Sequence, residues 1–219
     1  MTDVPRSVVV ATRNRGKRDE WRALLEEAAI GVESLDDVGL VEDAAEEALE
    51  RHESFEENAR AKARWFAARL PGRAVIADDS GLVVDALGGA PGVRSKRWAG
   101  SDATGAALDA ANNAALLVAL ASHRDASARV ARVARVARYV CVAVCVQHHR
   151  EWIGRGECEG RILDAARGTG GFGYDPYFWS DDLGETFGEA TRAAKASVSH
   201  RGRAMRVLVA RWSEMHIGR

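Results

Sequence analysis

The chain carries the stretch AVIADDSGL at positions 74–82, and this stretch decides the fold. Its four apolar residues predict a short buried strand, and Gly81 permits a sharp turn after it. Asp78 and Asp79 then stand at the strand end, where alternation sends neighbouring side chains to opposite faces. If the strand opens into a cleft, one carboxylate can hold a hard cation or activate water, while the other orients a basic partner. The alternative, an acidic turn in solvent, is the commoner fate of an isolated Asp-Asp pair.

Strands and helices alternate around this stretch and then give way to a hairpin. Strands are predicted over residues 7–11, 74–77, 139–147 and 151–157. Helices are predicted over residues 18–28, 54–70, 103–120 and 201–212. The second helix begins with a capping box formed by Ser54 and Glu57. This order indicates an α/β protein with a mixed sheet flanked by helices.

The composition sets wide limits on function. With 219 residues, the chain fits one domain or one two-lobed domain. Its 31 basic and 32 acidic residues give a net charge of -1, which favours neither nucleic acid nor membrane as a partner. The three cysteines lack metal-ligand spacing, and Cys141 and Cys145 are expected in the core of a protein from a reducing compartment. The polar N-terminus and the absence of a long apolar stretch predict a cytoplasmic location.

The polar loop at residues 12–17 lies between the first strand and the first helix. Amide groups at a helix start suit phosphate, Lys17 adds a cation, and Asn14 can both donate and accept. The spacing is like that of a P-loop, but Ala11 replaces its first glycine and Arg18 replaces its magnesium-binding hydroxyl. We therefore reject a Walker-type NTPase. A solvated helix start and a phosphate site remain equally open interpretations.

Two later segments could contact a ligand. Residues 168–176 place four glycines around Phe172, so the backbone can approach a ligand and the ring can stack on a base. A tight turn with a core aromatic is the alternative. In the segment 195–202, His200 and Arg201 could donate hydrogen bonds to an oxo group and Lys195 could reach phosphate or base. Taken by itself, this second segment is equally an ordinary basic helix start.

A Val-Ala-Arg triplet occurs three times in succession over residues 130–138. A three-residue period matches neither a helix nor a strand. An expanded connector is the favoured interpretation, since loops tolerate insertion, and a basic contact surface is the alternative.

Six blocks, taken in order, resemble the inosine triphosphate pyrophosphatase family, whose members act on noncanonical purine nucleoside triphosphates. The blocks are residues 12–17, 54–59 with Lys62, 77–82, 88–92, 168–176 and 199–202. The likeness covers residues from about 8 to 212. It implies one two-lobed domain over residues 1–219, with an elongated mixed sheet and a central substrate cleft. It also implies a homodimer that uses Mg²⁺ to cleave ITP, dITP and XTP to the monophosphate and pyrophosphate.

The resemblance also assigns roles to residues. Asp79 becomes the proton acceptor and a magnesium ligand. Glu50 becomes the second ligand, but residues 50–53 depart from the family's usual Glu-Thr-Gly-type segment, so Glu46 and Glu47 compete for this role. Substrate contacts are assigned to Thr12, Arg13, Asn14, Arg15, Gly16, Lys17, Lys62, Asp78, Ser80, Phe172, Gly173, Tyr174, Asp175, Lys195, His200 and Arg201. The rival hypotheses are a pyrophosphatase for other nucleotides and a catalytically silent nucleotide-binding module.

Overall fold

The fold is a seven-stranded sheet with five α-helices among the residues that the structure describes. The structure is a computed structural model that describes residues 5–121 and 135–214, and side chains up to residue 212. The strands are β1 (Ser7–Val10), β2 (Gly31–Ser34), β3 (Ala74–Val84), β4 (Val136–Gln147), β5 (Arg150–Ile162), β6 (Phe178–Ser180) and β7 (Glu185–Thr186). The helices are α1 (Arg15–Glu27), α2 (Phe55–Arg69), α3 (Gly105–Ala121), α4 (Arg192–Val198) and α5 (His200–Glu214). Short 3₁₀ helices cover Ala44–Glu50, Asp85–Leu87 and Gly92–Arg97.

The sheet combines parallel and antiparallel pairs in the order β2-β1-β3-β4-β5-β6-β7. Strand β1 pairs in parallel with β2 and β3, so that Val9 lies opposite Glu33 on one side and Val75 on the other. Strand β6 pairs antiparallel with β5 and β7. The predicted mixed sheet flanked by helices is therefore confirmed.

Strand β3 is longer than the sequence predicts. It continues for 11 residues through Asp78, Asp79 and Gly81, and the sharp turn expected at Gly81 is wrong. The 12-residue strand β4 lies beside β3 and offers pairing along its length, so the backbone stays extended. Both carboxylates thus belong to the body of a central strand, and both are buried.

The described residues form two compact units, each with its own apolar core. The first unit contains the described residues up to Asp79, Cys141–Gly156 and the residues from His200 onward. The second contains the described residues of Ser80–Val140 and Glu157–Ser199. In the first core, Phe66 and Val75 pack with Val144, and in the second, Leu116 packs with Phe178 and Phe187.

Several boundaries differ from the sequence-based expectations. Helix α1 begins at Arg15 instead of residue 18, because Asn14 caps it by accepting a hydrogen bond from the Lys17 amide at 2.9 Å. Strand β4 begins at Val136 and so includes the third Val-Ala-Arg triplet. The repeat before Arg135 lies outside the described residues. The short elements β2, β6, β7 and α4 have no counterpart among the predictions.

Glycines in β5 allow α5 to lie directly against this strand in the first unit. A Cβ atom at Gly156 would stand 2.2 Å from the carbonyl oxygen of His200, and one at Gly154 would stand 2.1 Å from that of Ala204. Both neighbours are backbone atoms, which cannot rotate away. The close approach fixes the start of α5, the part of the helix that carries His200 and Arg201.

We expect Gly156→Ala to lower the free energy of unfolding by about 3 kcal/mol, because the methyl group would displace the α5 backbone. Urea denaturation measures this loss. Gly31→Ala is a milder control, since its nearest neighbour would be the Ser7 Cβ atom at 3.2 Å. Equal stability of Gly156→Ala and the parent would contradict the close packing of α5 on β5.

Candidate active site

Asp78 is the centre of a buried ion network in the first unit. Its Oδ2 atom lies 3.2 Å from the Lys17 Nζ atom and accepts a hydrogen bond from the Arg201 guanidinium at 3.2 Å. Its Oδ1 atom accepts a hydrogen bond from the Trp21 indole at 2.9 Å. Burial would raise the pKa of Asp78, but the charges of Lys17, Arg201 and Lys62 outweigh burial and hold the pKa well below its usual range. Asp78 is therefore an ionised anchor.

Asp79 has the opposite electrostatic environment, although it is the next residue. It is also buried, and its Oδ2 atom accepts a hydrogen bond from the Asn58 amide at 2.9 Å. Burial raises the pKa of Asp79, and the negative charge of Glu50 adds to the rise against the opposing effects of Lys62 and Lys17. A carboxylate whose charged form is disfavoured is a better proton acceptor than an ordinary one, so Asp79 has the character of a general base.

Lys62 joins this pair to the 3₁₀ helix at Ala44–Glu50. Its Nζ atom donates to the Glu50 carboxylate at 2.8 Å and to the main-chain oxygen of Asp78 at 2.5 Å. Burial would lower the pKa of Lys62, but the carboxylates of Glu50, Asp79 and Asp78 outweigh it and raise that pKa. Lys62 thus remains a cation inside the site.

The three candidate acidic ligands are held in different ways. Glu46 receives two hydrogen bonds from Arg13, at 3.1 and 2.8 Å, and also caps its own helix by accepting from the Asp43 amide. Glu47 is exposed. Glu50 is half-buried, and its charge acts on Asp79. Glu50 therefore lies close enough to Asp79 for its charge to act on that carboxylate.

Glu50 and Asp79 form a donor set suited to magnesium. Both offer carboxylate oxygens, and one or two carboxylates completed by substrate phosphates suffice for this ion. Burial is the main cause of the raised pKa of Asp79 and the charge of Glu50 adds to it, so a cation bound to both carboxylates would relieve their repulsion. Within residues 5–121 and 135–214, no three His, Cys, Asp or Glu side chains gather into a group that could hold a metal.

The start of α1 brings together part of the predicted phosphate loop. The Asn14 side chain caps the helix, and the main-chain N–H of Asn14 donates to the Thr12 hydroxyl at 3.2 Å. Gly16 and Lys17 belong to the first turn, where amide groups point out of the helix. Arg15 is exposed, and its side chain is 88% accessible. Arg13 turns instead to Glu46 and to Asp36, so its guanidinium anchors the acidic 3₁₀ helix.

The glycine-rich loop lies in the second unit and is fastened by one buried ion pair. The Lys195 Nζ atom binds the Asp175 carboxylate at 2.5 Å, and the same carboxylate oxygen accepts from the Phe172 amide at 2.8 Å. Lys195 also lies 5.1 Å from the centre of the Phe172 ring and 5.2 Å from that of Phe187. The structure therefore brings together three of the residues predicted to contact substrate.

The same loop is held by residues that the sequence analysis missed. The Tyr174 hydroxyl donates to the main-chain oxygen of Ser95 at 2.7 Å. Gly173 is bound by Asp109 and Asn113 of α3. Their four-residue spacing on a predicted helix was visible, but polar pairs of this kind are usually solvent-facing, so the sequence offered no reason to select them.

Ser80, His200 and Arg201 complete the set of predicted substrate contacts. Ser80 is half-buried and opens the second unit, while His200 and Arg201 are buried at the start of α5 in the first. The Arg201 guanidinium binds Glu20 as well as Asp78, and these carboxylates outweigh burial and raise its pKa. The assignment of base contact to Arg201 stays a prediction, and the observed contacts of its guanidinium are with carboxylates.

Comparison with known proteins identifies the family. The sequence profile of the Ham1 family matches residues 8–211, which is nearly the whole chain. The chain belongs to the Ham1 family. The resemblance to the inosine triphosphate pyrophosphatases is thereby confirmed.

Relatives of known name agree with this assignment. A dITP/XTP pyrophosphatase of Ralstonia nicotianae is 46% identical over 209 residues, covering 94% of this chain and 96% of the relative. One of Exiguobacterium sibiricum is 46% identical over 204 residues, covering 93% and 95%. A HAM1 protein of Coxiella burnetii has a solved structure that matches with a TM-score of 0.76 and 34% identity, covering 95% of this chain and 98% of that one.

The described helices contain no segment long and apolar enough to cross a membrane. The three cysteines are free thiols, and all are buried. Their predicted place in the core is confirmed for Cys141 and Cys145.

We expect Asp78→Asn and Asp79→Asn to differ in their effect on the free energy of unfolding, although the two substitutions are identical and adjacent. Asp78→Asn leaves Lys17 and Arg201 buried beside a neutral group and should cost about 3 to 5 kcal/mol. Asp79→Asn removes a charge that burial already disfavours and should leave the free energy of unfolding unchanged or higher. Urea denaturation at neutral pH without divalent cations measures both.

The pH dependence provides the check on these two variants. A carboxylate with a lowered pKa stabilises the fold above its unfolded value of about 3.9 and loses this effect as pH falls through its folded value. The deficit of Asp78→Asn should therefore shrink in acid. A carboxylate with a raised pKa stabilises only below the unfolded value, so any advantage of Asp79→Asn should grow as pH rises through the raised pKa. Similar losses for both variants at neutral pH would contradict the division into anchor and base.

Proposed function

We propose that this chain hydrolyses noncanonical purine nucleoside triphosphates (ITP, dITP and XTP) to the nucleoside monophosphate and pyrophosphate. The observation that carries the proposal is the pair of adjacent buried carboxylates with different partners. Asp78 binds the Lys17 and Arg201 cations, and Asp79 accepts a hydrogen bond from the neutral Asn58 amide. A pair of this kind separates an anchoring role from an acid–base role. The names of the relatives, dITP/XTP pyrophosphatases, support the substrate class.

Asp79 is the catalytic residue in this proposal. It accepts a proton from the water that attacks between the α- and β-phosphates, and the Asn58 amide fixes the orientation of its carboxylate. Asp78 is the neighbour that keeps Lys17 and Arg201 in place without taking up the proton, because its pKa is too low. The reaction then releases pyrophosphate in one displacement.

Magnesium is the proposed cofactor, and Asp79 and Glu50 would hold it. Bound there, the ion would neutralise the negative charge that repels a nucleophile. Glu50 is preferred because its charge acts on Asp79, whereas Arg13 binds both carboxylate oxygens of Glu46 and Glu47 is exposed. Lys62 binds both the Glu50 carboxylate and the main-chain oxygen of Asp78, so it fixes Glu50 relative to strand β3.

The start of α1 is proposed to bind the departing pyrophosphate. Amide groups of a first helical turn carry partial positive charge, and Lys17 adds a full charge that Asp78 positions. Thr12 and Asn14 fix the loop before this turn. Arg13 supports the site indirectly, since its guanidinium binds the acidic helix that carries Glu50.

The loop of the second unit is proposed to select the base. Phe172 offers a ring for stacking, and the buried Lys195 ammonium is a donor suited to a purine 6-oxo group. Adenine carries an amino group at that position, so a donor built for an oxo group would be left unpaired against ATP. Gly173, Tyr174 and Asp175 complete the loop, and Asp175 fixes the Lys195 ammonium.

Two rival functions and two wider expectations remain to be tested. A pyrophosphatase for pyrimidine or other modified nucleotides would show the same products on a different base. A silent nucleotide-binding module would bind without turnover, which the disfavoured charge on Asp79 argues against.

A homodimer and a cytoplasmic location stay predictions, and light scattering of the purified chain measures the oligomeric state.

The reaction with dITP tests the proposed function. We expect anion-exchange chromatography to find dIMP and pyrophosphate, because the metal site and the phosphate-binding turn are separate groups suited to opposite sides of the α–β bond. Asp79→Asn should lower turnover about a hundredfold or more, the usual scale of a lost general base and metal ligand. Appearance of dIDP and orthophosphate would contradict the proposal, and equal hydrolysis of dCTP would favour the rival enzyme.

The magnesium dependence tests the choice of Glu50. We expect Glu50→Gln to raise the magnesium concentration needed for half-maximal rate by about tenfold or more, because a carboxylate ligand is replaced by a neutral amide. Glu46→Gln is the matched control on the same 3₁₀ helix and should leave this concentration nearly unchanged. A larger effect at Glu46 than at Glu50 would transfer the ligand role to Glu46.

A further inference from the structure

Gly173 in the glycine-rich loop forms hydrogen bonds to helix α3 through both its N–H group and its carbonyl oxygen. Its N–H donates to the Asp109 carboxylate at 2.8 Å, and its carbonyl oxygen accepts from the Asn113 amide at 2.9 Å. Asp109 and Asn113 are one helical turn apart on α3, so they share a face. The Asn113 amide also donates to the main-chain oxygen of Asp109 at 2.8 Å, which fixes its orientation. Together the two side chains form a clamp.

The clamp acts on a residue whose backbone conformation favours glycine. Gly173 has φ +63°, and a Cβ atom there would meet no neighbour within 4 Å, so the backbone conformation and not crowding requires glycine. Glycine backbones lose the most conformational entropy on ordering, so a loop with four of them needs specific contacts to hold one shape. The clamp provides two such contacts at the residue next to Phe172.

Asn113 is buried at the expense of its own hydrogen bonding. The residue is 7% exposed, and its Oδ1 atom has no hydrogen-bond partner among the described residues. A buried acceptor without a partner destabilises a fold. The amide donor faces the carbonyl oxygens of Asp109 and Gly173, so flipping the amide would lose both bonds. The Asn113 side chain thus keeps its hydrogen bond to the loop, while its Oδ1 atom stays without a partner among the described residues.

We propose that Asp109 and Asn113 are positioning residues for base selectivity. They hold Gly173, and through it Phe172, in the one loop shape that distinguishes an oxo purine from adenine. This inference rests on the proposed function. Neither side chain needs to touch the substrate, because misplacing a contacting group by about 1 Å is enough to lower a rate by orders of magnitude.

The test compares two pairs of substitutions on one helix. Asp109→Ala and Asn113→Ala each remove one bond to Gly173. Asn112→Ala is the matched control, because Asn112 is equally buried and also bridges two main-chain groups, accepting from Ala99 at 2.8 Å and donating to Lys96 at 3.0 Å. Asp109→Asn keeps an oxygen acceptor and serves as the conservative rescue.

We expect the ratio of kcat/KM for ITP over ATP to fall about tenfold in Asp109→Ala and Asn113→Ala, the factor that corresponds to one lost hydrogen bond. The fall should come from the ITP value. Asn112→Ala should lower the melting temperature as much as the two clamp variants do and leave the kcat/KM ratio unchanged. Asp109→Asn should keep most of the parent's kcat/KM ratio. A ratio that is unchanged in the two clamp variants, or equally changed in Asn112→Ala, would overturn the proposal.

Amide hydrogen exchange of the ligand-free protein separates this inference from the proposed function. Peptides covering residues 168–175 should exchange faster in the two clamp variants than in the parent and in Asn112→Ala, and equal exchange would overturn the clamp. If the parent hydrolyses no purine triphosphate, the proposed function fails, and the ratio of IMP to AMP affinity replaces the kinetic ratio as the readout for the clamp. Should Asn113→Ala fail to fold, Asn113→Gln moves the amide by one methylene and gives the same comparison.

Discussion

The buried charge of Asp78 is the constraint on which the first unit depends. One carboxylate in the middle of β3 binds Lys17 and Trp21 from α1 and Arg201 from α5. Three elements distant in sequence therefore converge on one residue. A buried carboxylate with two cationic partners is tolerated only if each partner stays in place, because the loss of one leaves an uncompensated charge. The network thus specifies a single arrangement of α1 and α5 on the strand, and the glycines of β5 let α5 come close enough to join it.

The same network explains how two adjacent aspartates acquire different chemistry. Alternation along β3 turns them to opposite faces, and the face of Asp78 meets the Arg201 guanidinium and the Trp21 indole. The face of Asp79 meets the neutral Asn58 amide and the negative charge of Glu50. The charge of Lys62 lowers the pKa of both carboxylates, so it does not account for the difference between them. The difference in pKa direction therefore arises from which helix covers each face.

The sequence predicted the elements better than it predicted their ends. Periodicity located α2, α3 and α5 within a few residues, because a long amphipathic pattern is a strong signal. It stopped β3 at Ala77, because aspartate and glycine normally end strands, and pairing with β4 overrides that local preference. The short strands β6 and β7 have three and two residues, too few for any period to appear.

The candidate site was predictable as a set of blocks but not as a set of contacts. Order and composition selected Asp79, Lys17 and Lys195 as candidates, since these residues stand inside distinctive segments. Arg13 binds Glu46, 33 positions away, and Arg201 binds Asp78, 123 positions away. No local sequence pattern predicts contacts between residues so far apart. The clamp on Gly173 was missed for the same reason, as it joins α3 to a loop 60 residues later. Glycines make a loop adaptable, and in this loop side chains of a distant helix fix the position of Gly173. The residues that confer selectivity on such a loop are therefore to be sought in the helix that holds it as well as in the loop itself.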